Sequence, residues 1–318
     1  MSEYPAEKTK PGRSLIIFPG ALGDLISLIP AIRAIARRQT GIELELMARG
    51  ELARFAAGRA AIVRGHSIDR REVSQLFAAD EAVEARTFFG SFERIDSFFA
   101  ADDERFRRSL GAVARGELRF YPFRPPGDGH VAECYLRAIG EPAGTPVENG
   151  IDVLPEDVAA AARILDRFGM RERNFMLVMP GSGSAKKNWP TANFCELARR
   201  LSARIASLFV LGPVEIALEP VLKAQGLPVI SGIELGEVAG LARMAKCFVG
   251  NDSGVSHLAA AAGAAGFALF GPTDAKRWRP LGRVSVIQHD ALADLTVNEV
   301  VAAVSAAEFG GVTPQRTV

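Results

Sequence analysis

Ser14-Leu-Ile-Ile-Phe-Pro-Gly-Ala-Leu-Gly-Asp24 decides the fold. It opens with a short apolar run stopped by Pro19 and Gly20, the pattern of a parallel strand buried on both faces. Apolar residues then recur at Leu22, Leu25, Ile29, Ile32 and Ile35, three or four apart, and Ile26 and Leu28 broaden the face. That is helical spacing, and Pro30 inside it predicts a kink or a split. Gly41 follows, and residues 42–47 alternate as a second strand. Strand, glycine turn, helix and strand make a βαβ unit.

The same alternation returns in the second half. Helical periodicity covers 156–168, and 175–179 reads as a buried strand. An amphipathic helix over 193–204 gathers Arg199, Arg200 and Arg204 toward its end, as the helix dipole favours. Strands at 206–211, 247–249 and 267–270 alternate with helices at 237–245 and 256–262, and Gly212-Pro213 and Gly271-Pro272 stop two of the strands. Thr296-Val-Asn-Glu299 is a capping-box signature before an apolar helix over 300–307.

Residues 50–130 resist assignment. They carry Arg54, Arg59, Arg64, Arg70 and Arg71 and the aromatic pairs Phe88-Phe89 and Phe98-Phe99. Prolines and glycines make 121–130 a loop, a short helix fits 130–139, and the Pro- and Gly-rich stretch 141–155 reads as a linker. No internal repeat is visible. The fold class expected is α/β, with two doubly wound parallel-sheet domains at 1–150 and 151–318 and the last helix a candidate to pack back on the first.

At 318 residues the chain is long enough for two such cores. It is 48% hydrophobic and 24% charged, an ordinary globular composition. Lys and Arg total 38 against 37 Asp and Glu, a net charge of +1, so no global basic field recruits nucleic acid. Cys134, Cys195 and Cys247 are odd in number and scattered, with neither zinc nor disulfide-scaffold spacing, and read as buried thiols in a reducing compartment. The polar N-terminus lacks the apolar core of a signal peptide, and no apolar stretch is long enough to span a bilayer. The expected location is the cytoplasm, with peripheral membrane attachment left open.

Three strand-to-helix turns carry the candidate chemistry. The first is Pro19-Gly-Ala-Leu-Gly-Asp24: Gly20 and Gly23 let a ligand approach the backbone, and Asp24 is either a functional carboxylate or a helix N-cap. Its glycine pair falls short of the G-x-G-x-x-G dinucleotide fingerprint, so a nicotinamide site is poorly supported. The second is Pro180-Gly-Ser-Gly-Ser-Ala-Lys-Lys-Asn-Trp-Pro190, whose amides, hydroxyls and ammonium groups suit a phosphate or diphosphate; the plainer reading is a solvated turn. It lacks the spacing of a Walker A loop. Trp189 reads as packing beneath it. The third is Gly250-Asn-Asp-Ser-Gly-Val-Ser-His257, where amides near Ser253 and Gly254 open a helix, Asp252 caps or holds a hydroxyl, and His257 either faces the same site or fills the core. The remaining histidines are remote, so no metal-ligand cluster is expected.

Phe18-Pro-Gly-Ala-Leu-Gly-Asp24 with Pro30-Ala-Ile-Arg33 resembles the start of the family 9 glycosyltransferases, the heptosyltransferases of lipopolysaccharide core synthesis. Pro180-Gly-Ser-Gly-Ser, Lys187-Asn-Trp-Pro190, Gly250-Asn-Asp-Ser-Gly, His257-Leu-Ala-Ala and Leu269-Phe-Gly-Pro-Thr-Asp274 resemble the second half of the same family, in the same order. The resemblance covers the N-terminal motif and most of 175–282.

It implies a GT-B fold, two Rossmann-like domains facing across a cleft, with the acceptor mainly on the first and the nucleotide sugar on the second. It implies inverting, metal-independent transfer of heptose from ADP-heptose to a hydroxyl of a lipid-linked core oligosaccharide, with no cofactor. The resemblance makes Asp24 the base and Lys187 the cation at the departing diphosphate. Ser182, Gly183, Ser184, Ser253 and Gly254 join Lys187 as donor-binding residues, with Glu215 at the ribose, Asp252 at sugar hydroxyls, and His257 supporting the phosphate or Asp252. Gly20 and Gly23 form the acceptor-side loop. The five arginines of 54–71 are either acceptor-phosphate ligands or solvated surface. Transfer of another nucleotide sugar, epimerisation of one, and binding without transfer stay open as alternatives on the same fold.

Overall fold

A computed structural model describes residues 11–78 and 83–309, with side chains described to residue 306. The first half contains β1 (Gly12–Ile17), α1 (Leu22–Arg38), β2 (Ile42–Ala48), α2 (Gly50–Ala56), β3 (Ile62–Ser67), α3 (Arg71–Gln75), α4 (Val83–Phe89), β4 (Arg94–Ser97), α5 (Glu104–Val113), β5 (Glu117–Phe120) and α6 (Val131–Ala138). The second half contains α7 (Pro155–Arg167), β6 (Phe175–Met179), α8 (Thr191–Leu201), β7 (Ala206–Leu211), α9 (Glu219–Ala224), β8 (Val229–Ser231), α10 (Leu235–Met244), β9 (Cys247–Asn251), α11 (Gly254–Ala261), β10 (Gly266–Phe270), α12 (Ala275–Trp278), β11 (Val284–Gln288) and α13 (Val297–Phe309).

These elements form two compact units. Among the described residues, the first takes those up to 20, then 30–126 and 135–145; the second takes 21–29, 127–134 and those from 146 onward. The opening of α1, with Gly23 and Asp24, therefore belongs to the second unit.

The first unit is built on a sheet of order β3-β2-β1-β4-β5 in which every ladder is parallel. Leu15, Ile17 and Ile95 pack against Phe89, Phe92, Phe106 and Leu110 from its helices and turns. Inside this apolar sheet Glu45 is fully buried. It accepts from Arg13 at 2.7 and 3.0 Å and contacts His66 Nε2 at 2.5 Å. Burial alone would push its carboxyl up, but the hydrogen bonds of His66 and Arg13 hold it down at about 2.

The second unit has a sheet of order β11-β10-β9-β6-β7-β8, again parallel throughout. All residues of β6, β9 and β10 are buried, as central strands covered on both faces must be. Its main core joins Met176, Val178, Trp189, Phe194, Phe209 and Leu222. Val300 and Val304 of α13 enter the same core, and α13 packs on α8. The capping box forms as its spacing predicts: Glu299 accepts from the Thr296 N–H at 2.9 Å, and Thr296 Oγ1 accepts from the Glu299 N–H at 3.3 Å.

Pro30 does not split its helix, contrary to expectation: α1 is continuous from Leu22 to Arg38. Ile29 and Ala31 on either side are buried, and that packing carries the helix past the one hydrogen bond proline cannot donate.

In each sheet the chain winds outward one way and then returns to the other side of its starting strand. The order reverses between β1 and β4 and between β6 and β9. Open α/β sheets bind ligands beyond the strand carboxyl ends at such a point. The turns after β6 and β9 are the second and third motifs read from the sequence.

Candidate functional site

The three turns meet in residues of the second unit, apart from Pro19 and Gly20. After β6, residues 180–190 cross the sheet edge as a loop containing one 3₁₀ turn, Ala185–Lys187. Ser182 Oγ donates to the Ser184 carbonyl at 2.7 Å and accepts from the Ser184 N–H at 3.2 Å, so this hydroxyl shapes the loop. Gly183 and Ser184 are exposed. Lys187 reaches the other turn, and its Nζ donates to Asp252 Oδ2 at 2.7 Å. The carboxylate is nearly buried while the lysine keeps about a third of its surface (8% and 35% exposed). A cation held at the sheet edge by a buried anion remains open to a second anion on its solvent side.

Asp252 is itself fixed, since its N–H donates to the Leu269 carbonyl of β10 at 2.9 Å. Ser253 is the N-cap of α11 and accepts from the Ser256 N–H. The Ser256 and His257 N–H groups are taken up by the Ser253 carbonyl. The Gly254 and Val255 N–H groups have no acceptor among the described residues. They carry the positive end of the helix dipole into the site.

α1 begins against this helix start. A Cβ on Gly254 would stand 2.9 Å from Leu22 Cβ and 3.0 Å from the Gly23 nitrogen, so no side chain fits there. Asp24 is the third residue of α1 and not its N-cap. It reaches back, and Oδ2 accepts from the Ala21 N–H at 3.2 Å. Its Oδ1 accepts nothing from the described residues. Two helix N-termini and one partly engaged carboxylate thus share a small volume, and the two helix dipoles attract an incoming anion there.

His257 lies behind this junction, with its Cδ2 3.5 Å from where a Gly23 Cβ would be. It is buried, and burial pushes its pKa down to about 4 against the raising effects of Asp252 and a hydrogen bond to the Trp278 backbone. The ring is neutral at neutral pH and does not add a positive charge for a phosphate.

Glu215 follows β7 at the N-cap of a 3₁₀ turn. Its carboxylate occupies the space a side chain would take at two glycines. A Cβ on Gly181 would stand 2.5 and 2.6 Å from its oxygens, and one on Gly212 would stand 2.9 Å from Oε2. The sequence reading puts Gly181 in an anion-suited loop and makes Gly212 a strand stop; their steric role shows only once Glu215 is placed. Trp189 is buried, donates its indole N–H to the Leu295 carbonyl at 2.8 Å and packs edge-on to Phe194.

The remaining candidates are distributed otherwise. Gly20 belongs to the first unit, in the turn after β1. Of the five arginines there, Arg59 is buried and donates to the Phe55 carbonyl, Arg64 approaches Glu45 at 3.9 Å, Arg70 pairs with Glu72, and Arg71 pairs with Glu84 at 3.2 Å. Arg54 is exposed. The three cysteines are buried free thiols. Among the described residues no helix is long and apolar enough to cross a membrane.

The family model "Glycosyltransferase family 9 (heptosyltransferase)" matches residues 105–295, more than half of the chain. Lipopolysaccharide heptosyltransferase 1 of Pseudomonas aeruginosa is 26% identical over 290 residues, covering 82% of this chain and 79% of that protein. A family 9 glycosyl transferase from Veillonella parvula superposes with a TM-score of 0.77 at 18% identity, covering 94% of this chain and 97% of that one. ADP-heptose lps heptosyltransferase II of E. coli superposes with a TM-score of 0.73 at 19% identity, covering 92% and 98%. The parallel-sheet units described above are those of this GT-B type. The chain belongs to glycosyltransferase family 9, the heptosyltransferase family, and is a glycosyltransferase.

Proposed function

We propose that this glycosyltransferase moves a heptose from ADP-heptose, with inversion and without a metal, to a hydroxyl of a lipid-linked lipopolysaccharide core acceptor. The observation that carries the reading is the meeting of the α1 and α11 starts beside Asp24, with the Lys187–Asp252 pair on the same sheet edge. Inversion requires a single displacement at the anomeric carbon. Asp24, whose Oδ1 accepts nothing from the described residues, takes the acceptor proton as the acceptor oxygen attacks. The bond to the diphosphate breaks, and the electron pair leaves with it. Lys187 and the Gly254 and Val255 amides meet the charge that develops there. Asp252, once Lys187 turns to the diphosphate, holds sugar hydroxyls, and Glu215 holds the ribose. His257, neutral, props the junction from behind and binds no phosphate. Because the acceptor is lipid-linked, this reading places the enzyme in the cytoplasm, in peripheral contact with the inner membrane.

The test is calorimetry with ADP-heptose, then UDP- and GDP-sugars, on wild type and Lys187→Ala. The expected result is selective binding of ADP-heptose that weakens about tenfold or more in the variant, as loss of a charge-assisted contact requires. Preference for another nucleotide overturns the heptose assignment. Equal binding by the variant overturns the role of Lys187.

A further inference from the structure

Asn251 ends β9 and is completely buried. Its side-chain amide bonds to both ends of one loop. Nδ2 donates to the Pro180 carbonyl at 2.7 Å, where the loop leaves β6. Oδ1 accepts from the Trp189 N–H at 3.0 Å, where the loop reaches α8. Nδ2 also lies 3.5 Å from Asn188 Oδ1.

The far end is anchored independently, through the Trp189 indole and Leu295. The stretch within has few backbone bonds of its own, chiefly Lys187 N–H to the Ser184 carbonyl and Asn188 N–H to the Ala185 carbonyl. One rigid planar amide therefore sets the distance between the loop's ends and ties both to β9. The same residue's carbonyl accepts from Ser256 Oγ at 2.7 Å in the first turn of α11, and Asp252 follows it directly.

We infer that Asn251 is a positioning residue for the donor: it holds the 181–188 loop at the span that places Lys187 against Asp252. Without it the lysine stays in the chain but no longer stands in one place, and a misplacement of about 1 Å at such a group is worth about a hundredfold in rate. The consequence for donor binding rests on the nucleotide-sugar reading above. The consequence for loop order does not.

Two variants test it. Asn251→Leu fills the volume and makes neither bond. Asn251→Asp is conditional. Its ionised carboxyl accepts from the Trp189 N–H but faces the Pro180 carbonyl with a second acceptor. Its protonated carboxyl donates to that carbonyl and restores both bonds, and burial favours the protonated form.

Hydrogen exchange on the ligand-free proteins reads the loop, and kinetics across pH read the donor. In Asn251→Leu, exchange over 182–188 is expected to rise about tenfold or more while β6 and β9 stay protected. Its donor KM is expected to rise more than its kcat falls. In Asn251→Asp, donor KM is expected to return toward wild type between about pH 8 and about pH 5.5, relative to the wild-type profile over the same range. Wild-type exchange over 182–188 in Asn251→Leu overturns the inference. So does general loss of protection across β6 and β9, the mark of a structural role alone. If Asn251→Leu does not fold, the absence of pH rescue in Asn251→Asp overturns it. Normal loop exchange changes with no nucleotide binding by wild type would instead reject the donor reading and leave the clamp standing.

Discussion

Gly254→Ala tests whether the two helix starts must meet for the enzyme to work. The added Cβ would stand 2.9 Å from Leu22 Cβ and 3.0 Å from the Gly23 nitrogen. Carbon–carbon contacts settle at about 3.5–4.0 Å, so the start of α1 must retreat by roughly 0.6–1.1 Å. The obstructing atoms are a backbone nitrogen and a first side-chain carbon, and no rotamer change relieves them. Overpacking of this kind costs about 1–3 kcal/mol. The retreat also carries Asp24 away from the α11 amides, and a displacement of about 1 Å costs about a hundredfold in rate. Gly23→Ala is the matched control. Its Cβ would lie 3.5 Å from Gly254 Cα and from His257 Cδ2, an ordinary contact, and alanine is favoured over glycine inside a helix by about 0.5–1 kcal/mol. The assay is initial rates of ADP release from ADP-heptose with acceptor, alongside urea melts. The expected result is about a hundredfold loss of kcat with about 1–3 kcal/mol of stability for Gly254→Ala, and near-wild-type stability for Gly23→Ala. A Gly254→Ala enzyme with wild-type kcat would refute the argument that Asp24 and the α11 amides act from one fixed arrangement.

Asp24→Asn keeps the acceptor for the Ala21 N–H and removes the base, so turnover is expected to fall about 10²–10⁴-fold with ADP affinity unchanged; wild-type turnover rejects the role. Gly181→Ala would drive its Cβ against the Glu215 carboxylate, the movable end of a side chain. Stability is then expected to hold while donor KM rises and kcat changes little, as a KM–kcat comparison would show. His257 titrates at about 4 in the fold against about 6.5 in the unfolded chain. The unfolded state therefore binds the proton first, and stability is full above about pH 6.5 and falls as pH drops toward 4, by an order of 3 kcal/mol. Urea melts across that window should show this slope in wild type and a shallower one in His257→Leu, where buried His130, also pushed down by burial, still contributes.

The second sheet was largely readable because its strands are uniformly apolar and end at glycine or proline. The spans 175–179 and 206–211 coincide with β6 and β7. β8 is too short to show a pattern, and β11 is a half-exposed edge strand. β3 lies in the stretch that resisted assignment, because Arg64, Gly65 and His66 interrupt any apolar pattern; in the fold Arg64 and His66 both meet Glu45 on the neighbouring strand. α11 starts two residues before its apolar periodicity, since Ser253 caps it ahead of the first apolar run. In the site, residue types were legible turn by turn, but their relations were not. Lys187 and Asp252 are 65 residues apart, and nothing local says that one neutralises the other. From spacing alone Asp24 reads more readily as an N-cap, and only the start of α1 at Leu22 makes it a carboxylate reaching back from the third position.

That separation has a topological cause. Between the loop after β6 and the turn after β9 the chain makes β7 and β8 on one flank of the sheet, then crosses back so that β9 pairs with the other side of β6. The register sets Val178 opposite Val249 and Met179 opposite Gly250, so the two strands end side by side. Pro180 and Asn251 emerge next to each other, and the loop from one is bound by the side chain of the other. Chemistry divided between distant segments is thus assembled by the strand order before any side chain is chosen. What remains for the sequence is to keep that edge uncrowded, with Gly181 and Gly212 leaving room for Glu215 and Gly254 leaving room for α1. The glycines of these motifs are accordingly read as space for a neighbouring carboxylate or helix start, and alanine at each should damage a different partner: Glu215 in one case, Asp24 in the other.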